Sequence, residues 1–347
     1  PAGKNLHRLR HEAGRVLADR GPHRRYAHRA ESLSQRDDVD RQAGPGLSFQ
    51  RYLAAKQALD DRSLNERVWR AFAENLEPGR AERPLRLLEV GAGIGGMLER
   101  TLERIDFGHA EYYALDSEPA HLPEAARRLQ AWAAARAAGW SRLGDDRWRV
   151  EAPGARVDIH WVTASLFDEA IPSTPFDVVL AHAFLDLVDL DRALPRILGR
   201  LRPGGLCYFS LNFDGLTAFL PEIDPELDEA IVRAYHATMD VRRDGPHPSG
   251  DSRTGRRLVG ELPRHGVELL AAGASDWVVF PRDGIYPEGE ALVLFGILDM
   301  VEEAVEGSAA VSTDQISTWT ARRRRQVEDG QLVFIAHQLD VLGRIPR

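Results

Sequence analysis

The sequence is poor in residues that would commit it to several kinds of chemistry. Cys207 is the only cysteine among 347 residues, so neither a disulfide nor a cysteine-based metal site can form within the chain. Lysine is nearly absent: Lys4 and Lys56 are the only lysines among 45 basic residues. With abundant Ala and Gly, that bias points to a GC-rich bacterial genome rather than a chemical role. Membrane-length apolar runs are missing, since Ile285 to Val305 is interrupted by Glu288, Glu290 and Asp299. Pro1–Arg20 has no apolar core of the kind a secretory signal needs. The expectation is a cytoplasmic protein without membrane association. Excess positive charge is lacking too, and a net charge of −8 argues against a general nucleic-acid binder.

What is present is an ordinary globular composition, 43% hydrophobic and 28% charged, long enough for a sizeable core. The charge is uneven: residues 1–45 hold ten Lys/Arg against six Asp/Glu, so they carry +4 and the remainder −12. Arg24-Arg25 and their neighbours suit either an RNA-binding arm or a solvated, partly disordered one, and the second is the simpler reading.

The chain is organised around Leu87-Leu88-Glu89-Val90-Gly91-Ala92-Gly93-Ile94-Gly95-Gly96. A buried strand ends in an acid and a glycine-rich turn. Leu98, Leu102 and Ile105 then follow at helical spacing. Glycines let a ligand approach the backbone, and the new helix offers unpaired N–H groups. Gly91-x-Gly93-x-x-Gly96 also fits a dinucleotide fingerprint. Glu89 before the glycines, suited to a ligand's ammonium, and Leu201-Arg202-Pro203-Gly204-Gly205-Leu206 before a later strand favour another family. With Glu89-x-Gly91-x-Gly93-x-Gly95, the sequence resembles the class I S-adenosylmethionine-dependent methyltransferases over residues 85–210.

The resemblance implies a seven-stranded doubly wound Rossmann-like α/β sheet with the last strand reversed, and S-adenosyl-L-methionine as cofactor. Cofactor-binding positions are then Glu89, Gly91, Ala92, Gly93, Asp116, Ser117, Ala164, Ser165, Leu166 and His182. Asp116 ends the second strand, Glu111–Leu115, where an acid suits ribose hydroxyls or caps the following helix. Ser165 stands where the family often has an acid for the adenine. His182, closing the strand Phe176–His182, and Asp186 fall beyond strand ends, where ligands sit. Both are catalytic candidates; His182 alternatively shapes the cofactor pocket, and Asp186 alternatively caps a helix. The oxygen ligands Asp186, Asn212 and Asp214 have no compelling metal spacing, so no metal is expected.

The expected organisation is a basic extension (1–45), a helical cap segment (46–84), a cofactor-binding α/β core with acceptor loops (85–283), a helical insertion (284–328), and the last strand with the C-terminus (329–347). From Phe49 to Leu76 the spacing predicts a helical pattern. Lys56, Asp60, Asp61, Arg62 and Asn65 within it either help close the site or, more simply, form a surface salt-bridge face. Residues 140–156 read as a polar loop, Gly205–Leu211 as the fifth strand, and Arg322-Arg323-Arg324-Arg325 as a solvated helix face. The favoured partner is a small-molecule acceptor, perceived as hydrophobic because the first inserted helix carries Leu292, Leu294, Phe295, Leu298 and Met300. An RNA or protein methyltransferase and a non-catalytic cofactor-binding module are the alternatives, and a homodimer is left open.

Overall fold

A computed structural model describes residues 48–347; the basic extension expected over residues 1–45 lies outside them. Three short helices come first, α1 (Phe49–Ala55), α2 (Gln57–Ser63) and α3 (Glu66–Glu74). Local caps divide what the spacing read as one pattern: Ser48 accepts from Arg51 N–H at the start of α1, and Asn65 from Val68 N–H at the start of α3.

There follow β1 (Leu85–Val90), α4 (Gly96–Arg104), β2 (Gly108–Asp116), α5 (His121–Ala135), β3 (Gly139–Arg142), β4 (Arg147–Ala152), β5 (Ala155–Thr163), β6 (Phe176–His182), α6 (Leu190–Leu198) and β7 (Leu201–Leu220). The chain continues through α7 (Pro225–Val241), the short ribbon β8 (Arg243–Asp244) and β9 (His247–Pro248), α8 (Thr254–Arg264), β10 (Glu268–Ala274) and β11 (Trp277–Val279). It ends with α9 (Glu290–Val305), α10 (Thr313–Glu328) and β12 (Val333–Arg344).

The sheet order is β10-β12-β7-β6-β1-β2-β5-β4-β3, with β11 paired to β12. Strands β5, β2, β1, β6 and β7 are mutually parallel, and β12 runs antiparallel to both β7 and β10. The expected doubly wound core with a reversed last strand is therefore present. Further strands extend it, and the loop expected over 140–156 is corrected. Trp148 and Val150 are each 1% exposed, and the charged residues alternating with them mark an amphipathic strand rather than a loop.

Successive strands run outward from β1 to β2 and β5, then resume at β6 on its other side. Beyond the carboxyl end of β1 lies the switch point where open α/β sheets bind ligands. One face is covered by α3, α4 and α5 through Val68, Phe72, Leu98 and Leu129; α6 and α8 cover the other through Leu194, Ile197, Leu258 and Leu262.

A third core stands apart from these two. Strand β7 pairs with β6 only as far as Ser210, then continues with β12 to Leu220. On this overhanging ribbon α7, α9 and α10 bury Phe219, Ile231, Ile297, Leu298 and Trp319. The tetra-arginine reading is corrected here. Arg323 is 0% exposed and donates to Asp228 Oδ1 and Pro221 O, each at 2.7 Å, while Arg324 pairs with Asp299 and Glu302. Four consecutive residues span a full helical turn, so one of them must face inward.

Candidate functional site

Gly91, Gly93 and Gly95 take φ of 70°, 54° and 83°, the left-handed region that costs glycine little. A Cβ on Gly91 would stand 2.2 Å from Phe184 Cδ2, so the loop leaving β6 rests directly on the turn. Gly93 N–H donates to Asp116 Oδ2 at 2.7 Å, binding the turn to the exit of β2. Asp116 Oδ1 accepts from Glu118 N–H at 2.9 Å and lies 3.0 Å from His121 Nδ1. The carboxylate thus braces the glycine turn and holds the Glu118 N–H of the segment before α5, whose own N-cap position is Ala120 without a side-chain cap.

Helix α1 roofs this corner. Leu53 Cδ1 is 3.5 Å from the Cβ position of Gly93, and the Phe49 ring stacks on His121 at 6.1 Å. His121 Nε2 is buried without a hydrogen-bond partner. The sequence reading missed this histidine, although its place five residues after Asp116 was a signal.

Glu89 lies beneath the turn, 1% exposed, accepting from the Tyr112 hydroxyl at 2.7 Å. Burial pushes its pKa up to about 8, against the Tyr112 hydrogen bond and Arg100. Ala92 is buried, and its N–H donates to Leu115 O at 3.0 Å. Ser117 is exposed at the exit of β2. After β5, Ala164 N–H donates to Asp116 O at 2.9 Å, and Ser165 Oγ accepts from Phe167 N–H at 3.2 Å. Leu166 departs from expectation. Its side chain is core and its carbonyl accepts from Arg196, which leaves Ala164 and Ser165 as the half-buried positions there.

His182 is held on both sides. Its Nδ1 is 2.9 Å from Ser210 Oγ, and its Nε2 lies 3.3 Å from both Asp60 Oδ2 and an Arg100 guanidinium nitrogen. Burial, then Arg100, lowers its pKa to about 4 against the pull of Asp60, so the ring is neutral at physiological pH. Asp60 is 3% exposed and also binds Lys56 and the Trp277 indole N–H, the latter at 3.1 Å. Burial alone would raise the Asp60 pKa; Lys56, His182 and Arg100 outweigh it and hold the carboxyl well below its usual range. The surface-face reading is therefore corrected for Lys56 and Asp60, which tie α2 to the end of β6.

Asp186 occupies the short 3-10 turn Leu185–Leu187. Its Oδ1 is buried without a partner, and burial pushes its pKa up to about 6 against its own backbone N–H, Arg242 and Lys56. Among the described residues no group of side chains could hold a metal, and no helix is long and apolar enough to cross a membrane.

Left-handed glycines at a switch point, a carboxylate on the neighbouring strand exit and an unpartnered buried imidazole nitrogen beside it fit an adenosyl ligand. Gly91 to Gly95, Asp116, His121 and Ser165 would hold it. A family model described as a methyltransferase domain matches residues 88–207. Among solved structures, a candidate methyltransferase from Bacillus halodurans C-125 gives a TM-score of 0.46 at 12% identity, covering 82% of this chain and 100% of that one. Geranyl diphosphate C-methyltransferase from Streptomyces coelicolor A3(2) gives 0.40 at 10% identity, covering 80% and 75%. These likenesses identify no substrate, and no curated protein matches the sequence. Residues 88–207 thus match a methyltransferase domain model, and the glycine turn and strand order are those that the resemblance to class I S-adenosylmethionine-dependent methyltransferases implies.

Proposed function

We propose that the chain transfers a methyl group from S-adenosylmethionine to a small, largely apolar molecule. In this reading residues 46–84 and 284–328 form the cap, 85–283 the cofactor-binding core, and 329–347 complete the sheet. The observation that carries it is the third core. The β7–β12 ribbon overhangs in the carboxyl direction of β6 and supports α7 and α9, which share that core with Tyr52 of α1. Helices set beyond the strand ends in this way suit a small acceptor better than a polymer. When bound, the cofactor supplies an electrophilic sulfonium methyl, so the protein's main task is alignment. His182 acts here as a positioning residue, neutral and already engaged at both nitrogens, while Asp186 faces the acceptor.

The direct test is S-adenosylhomocysteine formation from S-adenosylmethionine with apolar small molecules, RNA and protein as acceptors. Turnover on RNA or protein alone would overturn the reading. Phe295, half-buried against the third core, supplies a second test. Phe295→Ala should impair acceptor use more than S-adenosylhomocysteine affinity, and equal losses of affinity and thermal stability would mark it as ordinary core. Asp116→Ala should weaken S-adenosylhomocysteine binding by roughly 1.5–3 kcal/mol, through lost ligand hydrogen bonds and a loosened turn. Calorimetric affinity unchanged within error would leave Asp116 only its structural part.

A further inference from the structure

Cofactor binding leaves one group of side chains beyond β6 unused. Asp186 Oδ1 is desolvated with no donor to satisfy it, a state that costs free energy until a ligand supplies an N–H or O–H. Tyr52 from α1 and Tyr235 from α7 pack against the same cap core. Burial raises both phenols, with Tyr235, Asp60 and then Asp186 adding to it for Tyr52 and Asp186 for Tyr235, so both stay uncharged at physiological pH. Arg242, Lys56 and Asp251 are the other charged groups acting on this carboxylate. Lys56 is already bound to Asp60, and Arg242 donates to Ser249 O and reaches the Asp186 carbonyl rather than its carboxylate.

Resting on the methyl-transfer reading above, we infer that Asp186, beside the end of α7 where Arg242 reaches its carbonyl, receives the nucleophilic nitrogen of the acceptor, which is therefore an amine on an apolar body. The nitrogen lone pair forms the new N–C bond as the methyl's bond to sulfur breaks, and that bonding pair stays on the now neutral sulfur. Before attack the bound ammonium gives one proton through Asp186 to solvent, which frees that lone pair, and after transfer the positive charge lost by sulfur stays on the methylated nitrogen beside the carboxylate. A carboxylic acid acceptor would meet like charge here. An alkanol would need a far stronger base than a carboxylate.

The test compares 4-phenylbutylamine, 4-phenylbutanol and 4-phenylbutyrate, identical in apolar body, binding by calorimetry to the full chain saturated with S-adenosylhomocysteine. The amine should bind about tenfold or more tighter than the other two. Asp186→Asn should erase that preference with S-adenosylhomocysteine affinity unchanged. Equal or better binding of the alcohol or acid, no amine binding at millimolar concentration, or a preference that survives Asp186→Asn would each overturn the inference. Absence of S-adenosylhomocysteine binding would instead overturn the cofactor reading, which is separately observed.

Discussion

A valine at Gly93 should abolish S-adenosylhomocysteine binding while the sheet remains folded. Gly93 has φ of 54°, where an L-residue costs about 1–2 kcal/mol and a β-branched one more. That is a fraction of the roughly 5–15 kcal/mol by which a domain is stable. Binding suffers more directly. The Cβ would already stand 3.5 Å from Leu53 Cδ1, so the γ-methyls must displace α1 or fill the space between helix and turn. The Gly93 N–H that braces Asp116 would shift with them. A loss of at least about 100-fold, roughly 2.7 kcal/mol, is the expectation by calorimetric titration. Far-UV circular dichroism should be unchanged. Unaltered affinity in the folded variant would remove the turn from the site.

Asp60→Ala should lower stability by about 3–5 kcal/mol, the range for breaking a buried ion pair, with a fall in Tm on the order of 10 °C. It would leave the Lys56 ammonium and the Trp277 N–H, both turned to this carboxylate, without a buried acceptor. Because the Asp60 pKa is depressed in the fold, its contribution is present above the unfolded-state value near 3.8 and is lost as pH falls toward the folded one. The difference between wild type and variant should therefore be full at pH 7 and shrink in strong acid. A loss below about 1 kcal/mol in urea denaturation at pH 7 would instead mark an exposed pair.

The same acid shows where the sequence stopped being legible. Lys56 and Asp60 at i and i+4 read equally well as a solvated pair. Only the tertiary placement of His182 and Trp277 against them makes the pair a buried latch. The core was legible because its signals are local: apolar runs at β1 and β6, and glycines where the backbone must turn left-handed. Strand β6 matches the expected span at both ends. Strand β7 did not end at Leu211, because its later half is specified by its partner β12, 113 or more residues away along the ladder from Leu220↔Val333. Leu166 misled for a related reason: an apolar residue after a strand can face ligand or core, and contact with α6 decides it. Asp116 and Asp186 stand at and just beyond strand exits, as their positions in the sequence implied. The roof of Phe49 and Leu53, and Tyr52 beside them, required knowing where α1 folds back.

The most direct measurement is a crystal structure of the chain with S-adenosylhomocysteine. Its ribose should lie between the Gly91–Gly95 turn and Asp116, its adenine beside Ala164 and Ser165, and its sulfur toward the Asp186 side of the cap. Ligand bound elsewhere on the chain, or an empty glycine turn at saturating concentration, would contradict the assignment of this site.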